Sequence, residues 1–128
     1  MNTIVTKSET AGAVVENIYL IAKAQGLQIG ALESNIGIQR GYFSRKRNGG
    51  SLTDKILADA AKQLDVSVDY LINEMPENDR KAYIKAIEER QIVANAGIIA
   101  DKYHVSIEKA YEMLAGRPMT AKEKAYIK

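Results

Sequence analysis

The residues from Gly26 to Gly50, GLQIGALESNIGIQRGYFSRKRNGG, leave the chain few ways to fold. Ile29, Leu32 and Ile36 recur at i, i+3 and i+7, which puts all three on one face of a short helix. Gly37 then stands where a helix end needs a residue of positive φ, and Ile38 supplies an apolar contact back onto the last turn. A second helix is expected over residues 39–47. Phe43 would face inward there, with Arg40, Ser44 and Arg45 outward, because Arg40 and Ser44 lie one turn apart and Arg45 is adjacent.

The outward side is also where the charge collects. Between Ser34 and Thr53 there is no Asp or Glu, whereas Arg40, Arg45, Lys46 and Arg47 give a local charge of +4. The whole chain sets 18 Lys and Arg against 16 Asp and Glu, so the basicity is focused on one element. Focused positive charge suits a phosphate backbone, since each neutralised phosphate releases counterions and a guanidinium can also bond guanine O6 and N7. A merely solvated cationic helix is the alternative. The coincidence of charge and turn favours nucleic acid.

These residues resemble the phage repressor and Cro type of helix-turn-helix regulator, the xenobiotic-response-element family, over about residues 16–73. The strongest parts are LESNIGIQRGYFSR around the turn and LADAAKQLDVSVDYLI, which is similar to the fourth and fifth helices of that five-helix domain. The resemblance implies a recognition helix at 39–47 and a helix at 29–36 crossing above the DNA backbone. It implies that Arg40 and Gly41 hold base-reading positions at the start of the recognition helix, and Arg45 the later one, with Ser44 beside it. Gln39 matches a helix-capping or phosphate-binding position, and Tyr42 and Asn48 match positions that reach phosphate oxygens. The chain departs from the family at Glu33, where alanine is usual, and at Lys46, where an apolar residue is usual. It departs again at Ile29, where a phosphate-bonding glutamine is frequent and for which Gln28 stands in. With no side chain at Gly41, base reading falls on Arg40 and Arg45, while Arg47 adds its charge to the same helix.

At 128 residues and 46% hydrophobic content the chain suits one domain with an appendage. The absence of cysteine excludes a disulfide framework and a zinc finger. The first residues, MNTIVTKSETAGAVV, lack a long apolar segment, and no run approaches the roughly 20 residues that span a bilayer, so a cytoplasmic protein with no membrane role is expected.

An all-α fold is expected, with a five-helix repressor-like domain in residues 1–75 and a smaller helical C-terminal region in 76–128. Val14, Ile18, Ile21 and Ala22 predict a first helix over 10–25, stopped by Gly26. Ser51 and Asp54 are spaced as in a capping box and would open a fourth helix that buries Ile56, Leu57, Ala60, Ala61 and Leu64 and ends at Asp65 and Val66. Ser67 caps a short fifth helix carrying Val68, Tyr70, Leu71 and Ile72, with Tyr70 and Leu71 in the core. Pro76 marks the boundary, followed by a polar helix start at Glu77, Asn78 and Asp79. Beyond it Tyr83, Ala86, Ile87 and Ala94 form one stripe and Ile92, Ala96, Ile99 and Tyr103 another, and Gly97 leaves open whether there are one or two helices. Ser106 caps a further helix with Ile107, Ala110, Tyr111 and Leu114 inward, ended by Gly116 and Pro118. Thr120 with Glu123 then forms a capping box for a last turn.

From Pro76 onward ten basic residues face eight acidic ones, too balanced for a second nucleic-acid site. The apolar stripes there are expected to pack on a twofold-related copy, since such domains act in pairs on half-sites about one DNA turn apart, the alternative being that they only complete an internal core. His104 is the only histidine and has no cysteine to complete a triad or a metal set, so a helix-end role is expected of it. Glu88 and Glu89 are neighbours on a solvated face, and no Walker-type glycine loop is present. No catalytic residue, metal or cofactor is therefore expected. The function that follows is sequence-specific binding of double-stranded DNA by a homodimeric transcriptional regulator, a repressor from a phage or another mobile element acting on an inverted repeat. The alternative is an antitoxin whose C-terminal helices bind a partner protein.

Overall fold

The computed structural model describes residues 8–47 and 50–127, and all regular structure among them is helical. The order is α1 (Ser8–Ala24), α2 (Ile29–Asn35), α3 (Tyr42–Arg47), α4 (Asp54–Leu64), α5 (Val68–Ile72), α6 (Glu77–Tyr103), α7 (Ile107–Ala115) and α8 (Ala121–Lys124). The all-α class expected from the sequence is therefore what the chain adopts.

Most helix ends are decided by hydrogen bonds between near neighbours. At the end of α1, Gly26 takes φ 78° and the Leu27 N–H donates to the Ala22 carbonyl at 2.8 Å. At the end of α2, Gly37 takes φ 80° and the Ile38 N–H reaches the Glu33 carbonyl at 3.0 Å. Both are the six-to-one bond of a left-handed helix stop. Two other helices stop the same way without glycine. Asp65 (φ 59°) closes α4, with Val66 donating to Ala61 at 3.0 Å, and His104 (φ 57°) closes α6, with Val105 donating to Ala100 at 3.1 Å. His104 is exposed, and a helix end is where it sits. At the helix starts, the Ser67, Ser106 and Thr120 hydroxyls accept the N–H of Tyr70, Lys109 and Glu123. The expected Ser51 and Asp54 box gives way to Thr53, whose hydroxyl accepts the Ile56 N–H at 3.2 Å. Leu52, only 2% exposed, anchors an extended approach, so helical turning begins later than Ser51.

The chain divides into two units between Tyr83 and Ile84, inside α6, rather than at Pro76. Pro76 instead stands immediately before α6, its carbonyl accepting the Arg80 N–H at 3.0 Å, a position where the missing proline N–H costs nothing. In the first unit Val14, Val15, Ile18 and Ile21 of α1 are buried with Leu32, Phe43, Leu57, Leu64 and Leu71. Each such side chain contributes about 1.5–3 kcal/mol on leaving water. Leu71 is fully buried as expected, while Tyr70 is only half-buried and donates its hydroxyl to Asp79 Oδ2 at 2.6 Å. Asn17 is buried among these side chains, and its amide donates to the Leu71 and Asn73 carbonyls at 3.0 and 3.1 Å, which ties α1 to the end of α5.

In the second unit α6 continues unbroken through Gly97. Its buried seam is Val93, Ala96 and Ala100, packed with Ala110, Tyr111 and Met119. The expected stripe of Ile92, Ala96, Ile99 and Tyr103 is thus rotated by about one residue. Ala96 belongs to the core and Ile99 packs on it, but Ile92 and Tyr103 are exposed at 37% and 59%. Apolar spacing alone did not reveal that the small Ala96 and Ala100, with Val93, form the buried side. Leu114, expected inward, is 46% exposed, whereas Ala110 and Tyr111 are fully buried. The Thr120 and Glu123 capping box forms as expected and does more than start α8. The Glu123 carboxylate also takes two bonds from Arg117, at 2.7 and 2.9 Å, and one from the Tyr111 hydroxyl.

Candidate functional site

The expected recognition helix is shorter than its sequence span. Gln39, Arg40 and Gly41 lie ahead of α3, because Gly41 takes φ 85°, which a right-handed helix cannot include. Arg40 is therefore a turn residue, and the one-turn spacing of Arg40 and Ser44 does not apply. Phe43 is fully buried, as expected, and its ring meets Tyr42 edge-on with centroids 5.6 Å apart.

What holds this turn is Glu33. It is 1% exposed, and its carboxylate accepts the Gly41 and Phe43 N–H groups, each at 3.0 Å. A short helix has orphan amides at its start, and here an acid from the preceding helix satisfies them. Sequence reasoning passed over this role. The available signal was the departure itself, an acid beside Leu32 on the buried side of a short helix.

The exposed arginines lie over glycines. A Cβ on Gly30 would stand 3.2 Å from Arg40 Cζ, so the Arg40 guanidinium lies against the bare backbone of α2. A Cβ on Gly41 would stand 3.2 Å from an Arg45 terminal nitrogen, so Arg45 folds back over the turn. Gly41, expected at a base-reading position, instead supplies a positive φ, an amide for Glu33 and clearance for Arg45. Gln28, Gln39 and Ser44 are exposed on the same two-helix element, and Gln28 sits at the N-terminal cap of α2 without bonding it. Tyr42 is half-buried; burial pushes its hydroxyl pKa up, partly offset by the Arg45 charge, so it stays protonated at neutral pH. The stem of Lys46 is half-buried and its ammonium lies 5.3 Å from the Tyr42 ring centroid. Arg47 turns away from this group onto α1, where its Nε is 2.7 Å from Glu16 and its guanidinium carbon 4.2 Å from the Tyr19 ring centroid. Asn48 lies outside the described residues.

The element thus gathers Arg40, Arg45, Ser44, Gln28 and Gln39 as exposed hydrogen-bonding groups and has no exposed acid between Ser34 and Thr53. Among the described residues no group of three or more His, Asp or Glu side chains could hold a metal ion. No helix among them is long and apolar enough to cross a membrane. No protein-family model, curated protein or solved structure matches the chain.

Proposed function

We propose that this chain is a sequence-specific, DNA-binding transcriptional regulator of the repressor and Cro type, from a phage or other mobile element, acting as a homodimer on an inverted repeat. One arrangement supports this above all: two guanidinium groups, Arg40 and Arg45, stand over Gly30 and Gly41 on a turn pinned by buried Glu33. Flat, multivalent donors on a rigid support suit bidentate contact with guanine edges and phosphates. Arg40 and Arg45 read bases; Tyr42, Gln28 and Gln39 contact phosphate oxygens, as does Asn48. A cytoplasmic location accompanies this role.

In the second unit Ile98, Met113, Tyr103 and Leu114 are 67%, 62%, 59% and 46% exposed. Apolar side chains left open to this degree favour a covering partner. In the dimeric reading that partner is a second copy. The same surface supports a second reading, an antitoxin that covers it with another protein. The mass of the purified chain at micromolar concentration separates them: a dimer supports the first and a monomer the second.

The primary test is selection of random duplexes by the purified protein at near-physiological salt, with the bound pool sequenced. Enrichment of an inverted repeat is the expected result. A pool without enriched sequence rejects sequence-specific recognition.

A further inference from the structure

Arg47 carries one of the four positive charges in the basic run, yet three residues of α1 hold it. Gly12, Glu16 and Tyr19 are spaced i, i+4 and i+7 and so share one helix face. A Cβ on Gly12 would stand 3.0 Å from the Arg47 carbonyl oxygen, so the glycine admits the α3 main chain. One turn on, Glu16 pairs with the Arg47 Nε at 2.7 Å, and beyond it the Tyr19 ring lies under the guanidinium at 4.2 Å. Tyr19 itself packs on the core.

The Glu16 and Arg47 side chains are 56% and 41% exposed, and an ion pair this open adds little to stability. What Glu16 does change is the charge that α3 offers to a polyanion. An unpaired arginine at the end of α3 would add one phosphate contact to every DNA sequence alike, and so would raise non-specific binding without adding base information.

Resting on the DNA-binding reading above, we infer that Glu16 is a specificity-determining residue: it keeps Arg47 on α1 and withholds that charge from phosphate. Arg47 is then a positioning residue for α3 and makes no contact with DNA. The contrast with Arg45 is direct, since Arg45 folds back over Gly41, whereas Arg47 has both a carboxylate and an aromatic seat.

The test is the salt dependence of binding to a random duplex and to the selected operator, for the wild type, Glu16→Gln and Arg47→Gln. Glu16→Gln is expected to bind random duplex several-fold more tightly at low salt and to steepen the plot of log K against log salt by about 0.9, the value of one added phosphate contact. Operator affinity rises less, so the specificity ratio falls. Arg47→Gln is expected to leave the wild-type slope unchanged. A slope in Glu16→Gln equal to wild type, or a slope flattened by about 0.9 in Arg47→Gln, overturns the inference. Should Arg47→Gln not fold, Glu16→Gln decides alone, because Glu16 is exposed and its amide analogue removes no packing. A wild type that binds no duplex at any salt ends the DNA reading itself, and is thereby distinguished from a wild type that binds with a slope indifferent to Glu16.

Discussion

The carboxylate of Glu33 accepts the backbone N–H of Phe43 at 3.0 Å, and so one buried side chain from α2 sets where α3 begins. Its other oxygen accepts the Gly41 N–H at 3.0 Å, so both ends of the tight turn into α3 depend on it. Glu33→Ala strands these amides and is expected to cost about 1–3 kcal/mol, while Glu33→Gln, which keeps one acceptor oxygen, should lose less. Urea unfolding of the three proteins checks this, and equal midpoints for wild type and Glu33→Ala would remove the side chain from the account.

The glycines beneath the arginines separate stability from binding. Gly30 lies inside α2, where alanine is favoured by about 0.5–1 kcal/mol, so Gly30→Ala should not destabilise the fold. Its Cβ would nevertheless displace the Arg40 guanidinium, now 3.2 Å from that point, and DNA affinity should fall. Gly41→Ala should lose both, because a residue at φ 85° pays about 1–2 kcal/mol in the left-handed region and meets Arg45 as well. Melting temperature and operator affinity measured together give the two signatures.

Arg45→Ala is expected to cost about 1–3 kcal/mol of binding and to relax specificity at one base position. Competition between the operator and its single-base variants reads this out. Equal losses on operator and random duplex would make Arg45 a phosphate contact instead.

His104 closes α6 at φ 57°, a conformation that glycine adopts without strain. His104→Gly is expected to stabilise the second unit by up to about 1 kcal/mol, after the greater entropy of glycine in the unfolded chain is set against the relieved strain. Slower hydrogen exchange at Ala100 and Val105 would register it, and faster exchange would contradict it.

Glu123 predicts an acid response of the second unit. The Arg117 guanidinium, helped by the Thr120 N–H and the Tyr111 hydroxyl, holds its carboxyl well below the usual glutamate range. A folded pKa below the unfolded one means that protonation favours unfolding. The contribution is complete above the unfolded glutamate value of about 4.3 and is lost as pH falls below it. The opening equilibrium at Ala110 and Tyr111, read from hydrogen-exchange protection factors between neutral and acid pH, should rise more steeply in wild type than in Glu123→Gln. Parallel profiles would show that the network does not carry this charge.

Features closed over a few residues were legible before any fold was known. Gly26 and Gly37 stop helices as their position suggested, and Ser67, Ser106 and the Thr120 and Glu123 pair start them. The α6 seam was misjudged for a physical reason. Apolar residues lie on several sides of that helix, so spacing admitted Ile92 and Tyr103 beside Ala96, while packing with Ala110, Tyr111 and Met119 took Val93 and Ala100 beside it. Within the candidate site, exposure of Arg40, Ser44 and Arg45 followed from sequence, although Arg40 reaches the surface from a turn and not from a helix.

By itself, then, the sequence determined the all-helical class, most of the helix ends and the concentration of positive charge near the second short helix. These depend on composition and on hydrogen bonds that span six residues or fewer. Only the tertiary structure decided that Glu33 is buried as the support of the turn, that Arg40 and Arg45 lie over glycines, and that Arg47 is held by Glu16 and Tyr19. A long charged side chain has many rotamers of similar energy in isolation, and its partner is chosen when packed helices bring one carboxylate, ring or bare backbone within reach.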